Sequence, residues 1–217
     1  NVFKVSCPIF ALRYVMKEKI LDKATDMFLN YGFKSVTMDD IANKMGISKK
    51  TIYQNYANKT KLVEATTLHT FNMISSGING ICALNKNPID EIFEIKIFVM
   101  NFLKDEKTSP QYQLQKYYPK LFTALNKKQF EVMDTCVKDN LLRGLAQKLY
   151  RDSIDIDFIS ILYFHNMVSL KNQELFSNKQ FPISSLMDNY LEYHLRGICT
   201  PKGLEVLNTI IDNKQHI

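Results

Sequence analysis

Apolar residues recur three and four positions apart along nearly the whole of this chain, and strand-like alternation is scarce. Such spacing gathers a buried stripe on one side of a helix but scatters it over both faces of a strand. Only 7 Gly and 6 Pro occur in 217 residues, too few to turn the many corners of an all-β protein. The spacing therefore predicts an all-α fold of about nine or ten helices. With 46% hydrophobic residues the chain can fill one large core or two small ones.

Local signals divide the text into helices. The first is predicted over about 16–31, with Ile20, Ala24, Met27, Phe28 and Tyr31 on one stripe and Gly32 closing it. Thr37 is suited to cap a second helix, with Asp40 completing a capping box and Ile41, Ala42 and Met45 facing inward. Gly46 ends that helix, Ser48 caps a third, and Asn58 caps a fourth running to about Ile81. "NPID", "SPQY" and "TPKG" each read as a cap followed by proline in the first turn. Further helices are expected over about 89–105, 110–125, 127–150, 155–172 and 182–198, with a short last one. Residues 1–15 are expected to be an extension upstream of an initiator at Met16. Their lone Lys4 and the lack of a small-x-small site argue against a signal peptide.

The segment "GISKKTIYQNY" carries the chemistry. A helix, a turn containing Gly46 and a second short helix form a helix-turn-helix pattern. On the third helix Ile52 points inward and Tyr56 joins it one turn later, so Lys50 and Gln54 lie opposite, flanked by Thr51 and Tyr53. Lys49 occupies the first turn. A major groove admits one helix: lysine suits guanine edges or phosphate, and glutamine suits adenine. Thr37 and Lys59, at the starts of the neighbouring helices, suit backbone phosphates.

Charge agrees with this reading. Between Met16 and Lys61, Lys17, Lys19, Lys23, Lys34, Lys44, Lys49, Lys50, Lys59 and Lys61 face Glu18, Asp22, Asp26, Asp39 and Asp40. Most of the chain's net +6 therefore sits in about a fifth of its length, the footprint of a phosphate-binding surface. Exposed lysines beside a glycine turn also suit an ordinary helical hairpin.

Residues 18–64 resemble the DNA-binding domain of the TetR family of bacterial transcriptional regulators. The ordered features are "A..MF...GF..VTM.DIA...GIS..TIY..Y..K..L". Thr60 departs from the pattern, standing where the family usually has an acidic residue. The resemblance implies DNA contacts at Thr37, Ser48, Lys49, Lys50, Thr51, Tyr53, Gln54, Asn55 and Lys59. It divides the chain into an extension (1–15), a helix-turn-helix domain (16–61) and a helical effector-binding and dimerisation domain (62–217).

A lone headpiece makes few base contacts, whereas two on one dimer read two half-sites about 34–36 Å apart. Two helices per subunit form the dimer interface in this family, which implies the same here. Phe158, Ile161, Leu162 and His165 on one helix, and Leu186, Tyr190 and His194 on the next, are the candidates. Such regulators commonly bind a small molecule. Phe98, Asn101, Phe102, Tyr117, Phe122, Tyr163 and Asn166 are the candidates to line a mostly apolar pocket, although aromatic residues at helical spacing also build plain core.

Other classes find little support. Cys7, Cys82, Cys136 and Cys199 are far apart and read as reduced, mostly buried thiols. His69, His165, His194 and His216 lack metal-ligand spacing, so no metal or cofactor is expected. No phosphate loop, nucleophile elbow or H-E-x-x-H motif suggests an enzyme. No apolar run of membrane-spanning length occurs. The expectation is a cytoplasmic homodimeric repressor on a palindromic duplex operator, released by a small effector. The rival is a helical interaction protein that binds a protein partner or an anionic membrane surface.

Overall fold

The computed structural model describes residues 8–103, 110–171, 175–176 and 182–215. They form ten helices: α1 (Pro8–Tyr31), α2 (Met38–Met45), α3 (Lys49–Asn55), α4 (Lys59–Cys82), α5 (Pro88–Leu103), α6 (Pro110–Tyr117), α7 (Pro119–Ala146), α8 (Ile156–Ser169), α9 (Ile183–Ile198) and α10 (Pro201–Gln215). No strand appears among the described residues; an isolated antiparallel bridge joins Tyr150 to Cys199. The chain divides into two compact units, residues 1–73 with 105–125, and residues 74–104 with 126–217.

Three boundaries differ from the spacing. Helix α1 starts at Pro8, ahead of Met16, because the apolar stretch before Met16 continues the helix. The single helix expected over 110–125 is broken at Pro119, since proline disfavours the α conformation at Tyr118 before it. From Pro119 onward one long helix, α7, takes in most of the helix expected over 127–150. The predicted cap at Ser109 lies outside the described residues.

The caps that are described act as read. The Thr37 side chain accepts from the Asp40 N–H while the Asp40 carboxylate accepts from the Thr37 N–H, closing the capping box of α2. Asn58 Oδ1 accepts from Lys61 N at 2.9 Å, and Asn87 Oδ1 from Ile89 N at 2.9 Å. Thr200 Oγ1 accepts from Gly203 N at 3.2 Å. Asp155, which the sequence alone does not single out, also caps α8, accepting from Phe158 N at 2.9 Å.

The first unit is built on Ile20, Ala24, Phe28, Ile41, Ile52 and Leu62, all essentially removed from solvent. Burying each large aliphatic or aromatic side chain contributes roughly 1.5–3 kcal/mol. Tyr31 is not part of that core: it is 61% exposed. Phe33, folded back through Gly32, takes the place beside Phe28, with ring centroids 5.2 Å apart. Helix α6 belongs to this unit through Leu114, and Tyr118, Leu121 and Phe122 pack on the same core.

The second unit closes around Ile89, Phe93, Leu141, Leu149, Tyr150, Leu191, Leu195 and Leu207. A polar strut crosses it. Buried Asn140 donates to Glu91 and to the Pro88 carbonyl, and accepts from the Tyr150 hydroxyl. Cys82 and Cys136 are thiols with their sulfurs 3.1 Å apart, both half-buried, and Cys199 is buried. Cys7 lies outside the described residues.

Candidate nucleic-acid interface

Helix α3 is short, so its orientation depends on what holds its two ends. At its start, Gly46 adopts φ +64°, a left-handed conformation that costs a residue with Cβ. The N–H of Ile47 then reaches back to the Ala42 carbonyl at 3.1 Å, closing the end of α2. Ser48 caps α3, its Oγ accepting from Thr51 N at 3.1 Å and lying 2.8 Å from Thr51 Oγ1. At the inner face Ile52 is wholly buried and Tyr56 is 5% exposed. Burial pushes the Tyr56 hydroxyl up to about 12, so this ring stays neutral.

With that face fixed, Lys50, Tyr53 and Gln54 face solvent on the other side. No described carboxylate pairs with Lys50. Lys49 is tied: its Nζ lies 2.7 Å from Asp39 Oδ2 on α2 and 6.0 Å from the centre of the Tyr53 ring. The Asp39 hydrogen bond raises the Lys49 pKa. Asn55 is half-buried and donates back to the Thr51 carbonyl at 2.8 Å, which makes it a brace of the helix end.

The flanking positions fall on the same unit. Thr37 is exposed at the start of α2, and its hydroxyl donates to Asp40 at 2.7 Å. Those Thr37 hydrogen bonds lower the Asp40 pKa. Lys59 opens α4 and donates to the Lys34 carbonyl at 3.1 Å; partial burial lowers its pKa, and Asp40 opposes that shift.

The family model for bacterial regulatory proteins of the tetR family matches residues 20–66, the span that contains this site. The biofilm operon icaADBC negative transcriptional regulator IcaR of Staphylococcus epidermidis is 26% identical over 140 residues, covering 53% of this chain and 76% of that protein. IcaR of Staphylococcus aureus (strain Newman) is 30% identical over 94 residues, covering 42% of this chain and 47% of that protein. A TetR-family regulator structure from Agrobacterium tumefaciens superposes with a TM-score of 0.69 at 14% identity, over 87% of this chain and 100% of that one. SmeT, the repressor of a Stenotrophomonas maltophilia multidrug efflux pump, gives 0.66 at 14% identity, over 85% and 91%.

Residues 20–66 thus match the DNA-binding domain of the TetR family, and the fold is the one seen in TetR-family regulators. The matched headpiece, which lies in the first unit, is that of a DNA-binding transcriptional regulator.

The remaining candidate residues scatter. Of those expected to line a pocket, Tyr117 and Phe122 belong to the headpiece unit; Tyr117 is 39% exposed and Phe122 packs on the headpiece core. Phe98, Asn101, Phe102, Tyr163 and Asn166 lie in the second unit. There Phe98 and Phe102 pair with centroids 6.2 Å apart, Asn101 is exposed, and buried Tyr163 stacks near Tyr190.

The candidate dimer residues also divide. Phe158, Ile161, Leu162 and His165 form a solvent-facing side of α8. On α9 the inward and outward sides are exchanged relative to the expectation. Leu186 and His194 are each 8% exposed and Tyr190 is half-buried, because this stripe closes the unit's own core, while Tyr193 is 78% exposed. The signal that finds Tyr193 is its offset: it precedes His194 and so points away from the stripe that Leu191 and Leu195 share.

Proposed function

We propose that the chain is a homodimeric repressor whose α3 enters the major groove of a palindromic duplex. Lys50, Tyr53 and Gln54 reach base edges there, and Lys49, Ser48 and Thr51 meet them or the adjoining phosphates. Thr37 and Lys59 grip the backbone on either side. Asn55 acts by holding the helix end. The observation that carries this reading is that buried Ile52 and Tyr56 fix one side of α3 while Lys50 and Tyr53 stand in solvent on the other. Repression is favoured by the likeness to negative regulators.

Two copies are needed to read two half-sites, and the apolar outer side of α8 offers a surface for the second copy. Phe158 is 60% exposed, Ile161 45% and Leu162 39%, neighbours on one side of α8 that form the kind of apolar patch that marks a protein–protein surface. Tyr193 on α9 is the further candidate. A small, mostly apolar effector completes the reading: it must prefer the spacing of headpieces that does not fit DNA. Such a regulator works in the cytoplasm, with no catalytic role.

The test is selection of bound fragments from a random duplex pool, followed by titration of the selected site. Lys50→Ala and Tyr53→Ala are expected to lose site-specific binding while keeping their helical content and dimeric mass. Unchanged affinity in both variants overturns the assignment of α3.

A further inference from the structure

The headpiece unit carries cations that the helix-turn-helix does not use. From Pro110 to Leu125 the chain has Lys116 and Lys120 and no acidic residue. Helix α6 docks against the turn between α1 and α2. There Gly32, at φ +87°, lies against the Gln113 side chain, and Gln113 Oε1 accepts from Lys34 N at 3.3 Å.

That docking aligns charges in a continuous line. Lys59 reaches the Lys34 carbonyl at 3.1 Å, and Lys34 Nζ stands 5.4 Å from the centre of the Tyr117 ring. Lys116 Nζ lies 5.7 Å from that ring and 5.5 Å from the ring of Tyr112. Lys34, Lys116 and Lys120 are exposed, and no described carboxylate pairs with any of them. Aromatic faces hold the two ammonium groups without neutralising them, which lowers the entropy lost when they meet an anion. The Tyr112 and Tyr117 rings, 49% and 39% exposed, add hydroxyl donors.

We propose that α6 and the first turn of α7 form a second phosphate-binding surface, which extends the headpiece grip onto duplex DNA outside the half-site. The proposal rests on the reading of α3 as the groove helix. The patch is continuous with Lys59 and Thr37, the two backbone positions of that reading, so one duplex passing them continues towards Lys34 and Lys116. Lysines and tyrosine hydroxyls bind phosphate oxygens irrespective of base, so this surface adds affinity and salt dependence without sequence preference.

The experiment uses the full chain and two fluorescent duplexes bearing the site that wild type selects, one ending at the half-sites and one extended at both ends. Lys116→Ala/Lys120→Ala is compared with wild type, Lys116→Arg/Lys120→Arg and Lys50→Ala across a salt series. The double alanine variant is expected to lose affinity roughly three- to tenfold on the extended duplex and none on the short one. The slope of log affinity against log salt falls by roughly 0.9 for each phosphate contact removed, and the arginine variant restores it. Equal affinities and slopes for wild type and the alanine variant on the extended duplex overturn the proposal, with the α3 reading intact if Lys50→Ala has lost binding. If Lys50→Ala binds as wild type does, the α3 reading has failed and this surface fails with it. Alanine-sensitive binding to phosphatidylserine vesicles with no effect on the extended duplex also overturns it, in favour of a membrane surface.

Discussion

Lys49 Nζ lies 2.7 Å from Asp39 Oδ2, so the first turn of α3 is tethered to the first turn of α2. Both side chains are more than half exposed, and an ion pair of this kind contributes little to folding. Its effect falls on DNA. In the proposed complex, Lys49 bound to Asp39 would present a partly neutralised charge to phosphate, and Asp39 itself would repel the duplex. Asp39→Asn is expected to raise affinity for a duplex of arbitrary sequence several-fold at low salt, with the gain fading at high salt and the thermal midpoint unmoved. Fluorescence anisotropy across a salt series measures this. A loss of affinity instead would show that Asp39 aims Lys49 rather than restraining it.

Two headpiece glycines give a graded stability test. Gly46 has φ +64° and no atom within 4 Å of an added Cβ, so Gly46→Ala meets only backbone strain, roughly 1–2 kcal/mol. Gly32 has φ +87°, and an added Cβ would stand 2.6 Å from Gln113 Nε2. Gly32→Ala therefore adds to the same strain only the cost of moving the flexible Gln113 end off the Lys34 N–H, and is expected to lower the thermal midpoint slightly more than Gly46→Ala. In a Gln113→Ala background the extra loss disappears and the strain remains. Equal losses in the two backgrounds would remove Gln113 from the account.

How far the residues alone reveal the molecule depends on the range of each interaction. Thr37 with Asp40, Ser48 with Thr51, and the Gly46 turn act within three or four positions, so the headpiece is legible in the sequence. Pro119 escapes notice as a helix start because Tyr118 before it is no capping residue. Helix α8 is apolar on every side: Ser160 is 1% exposed and Phe158 60%, so periodicity cannot choose its inner face. Nothing near Tyr117 and Phe122 in sequence records that α6 and the start of α7 join the headpiece unit. That placement is set by Leu114 and Tyr118 meeting a core whose other members lie far back in the chain.

Glu91 tests the polar strut of the second unit. Its side chain is fully buried, with Oε1 2.6 Å from Arg143 Nη2 and 2.8 Å from Asn140 Nδ2. Removing the carboxylate takes one acceptor from each donor, leaving Asn140 with the Pro88 carbonyl and Arg143 short of its buried partner, whereas an amide keeps an acceptor oxygen there. Loss of one partner of a buried pair costs about 3–5 kcal/mol; Arg143 retains Asp139 at 2.9 Å, so the lower end applies. Glu91→Ala is expected to destabilise by about 3 kcal/mol. Glu91→Gln should cost less, and Glu91→Leu/Arg143→Met should recover part of the loss. Denaturant unfolding measures the order, and a Glu91→Gln as damaging as Glu91→Ala would contradict it.

His194 supplies a pH test. Its ring is packed between Tyr163, at 5.2 Å, and Tyr190, at 5.7 Å, and burial lowers its pKa from 6.5 to about 4. The folded chain thus keeps this imidazole neutral, while the unfolded chain takes up a proton near pH 6.5. Between pH 6.5 and 4 the unfolded state holds more protons, so the folded state loses ground as pH falls. The contribution is present in full above pH 6.5 and gone below pH 4, and its size is about 3 kcal/mol. Carboxylates titrate in part of the same window, so the informative quantity is the difference between wild type and His194→Phe, which keeps a ring but cannot be protonated. The variant's thermal midpoint should fall less than that of wild type as pH is lowered from 6.5 to 4. Parallel curves would mean that His194 meets water in the folded protein, and that α9 presents to its own core a different side from the one seen here.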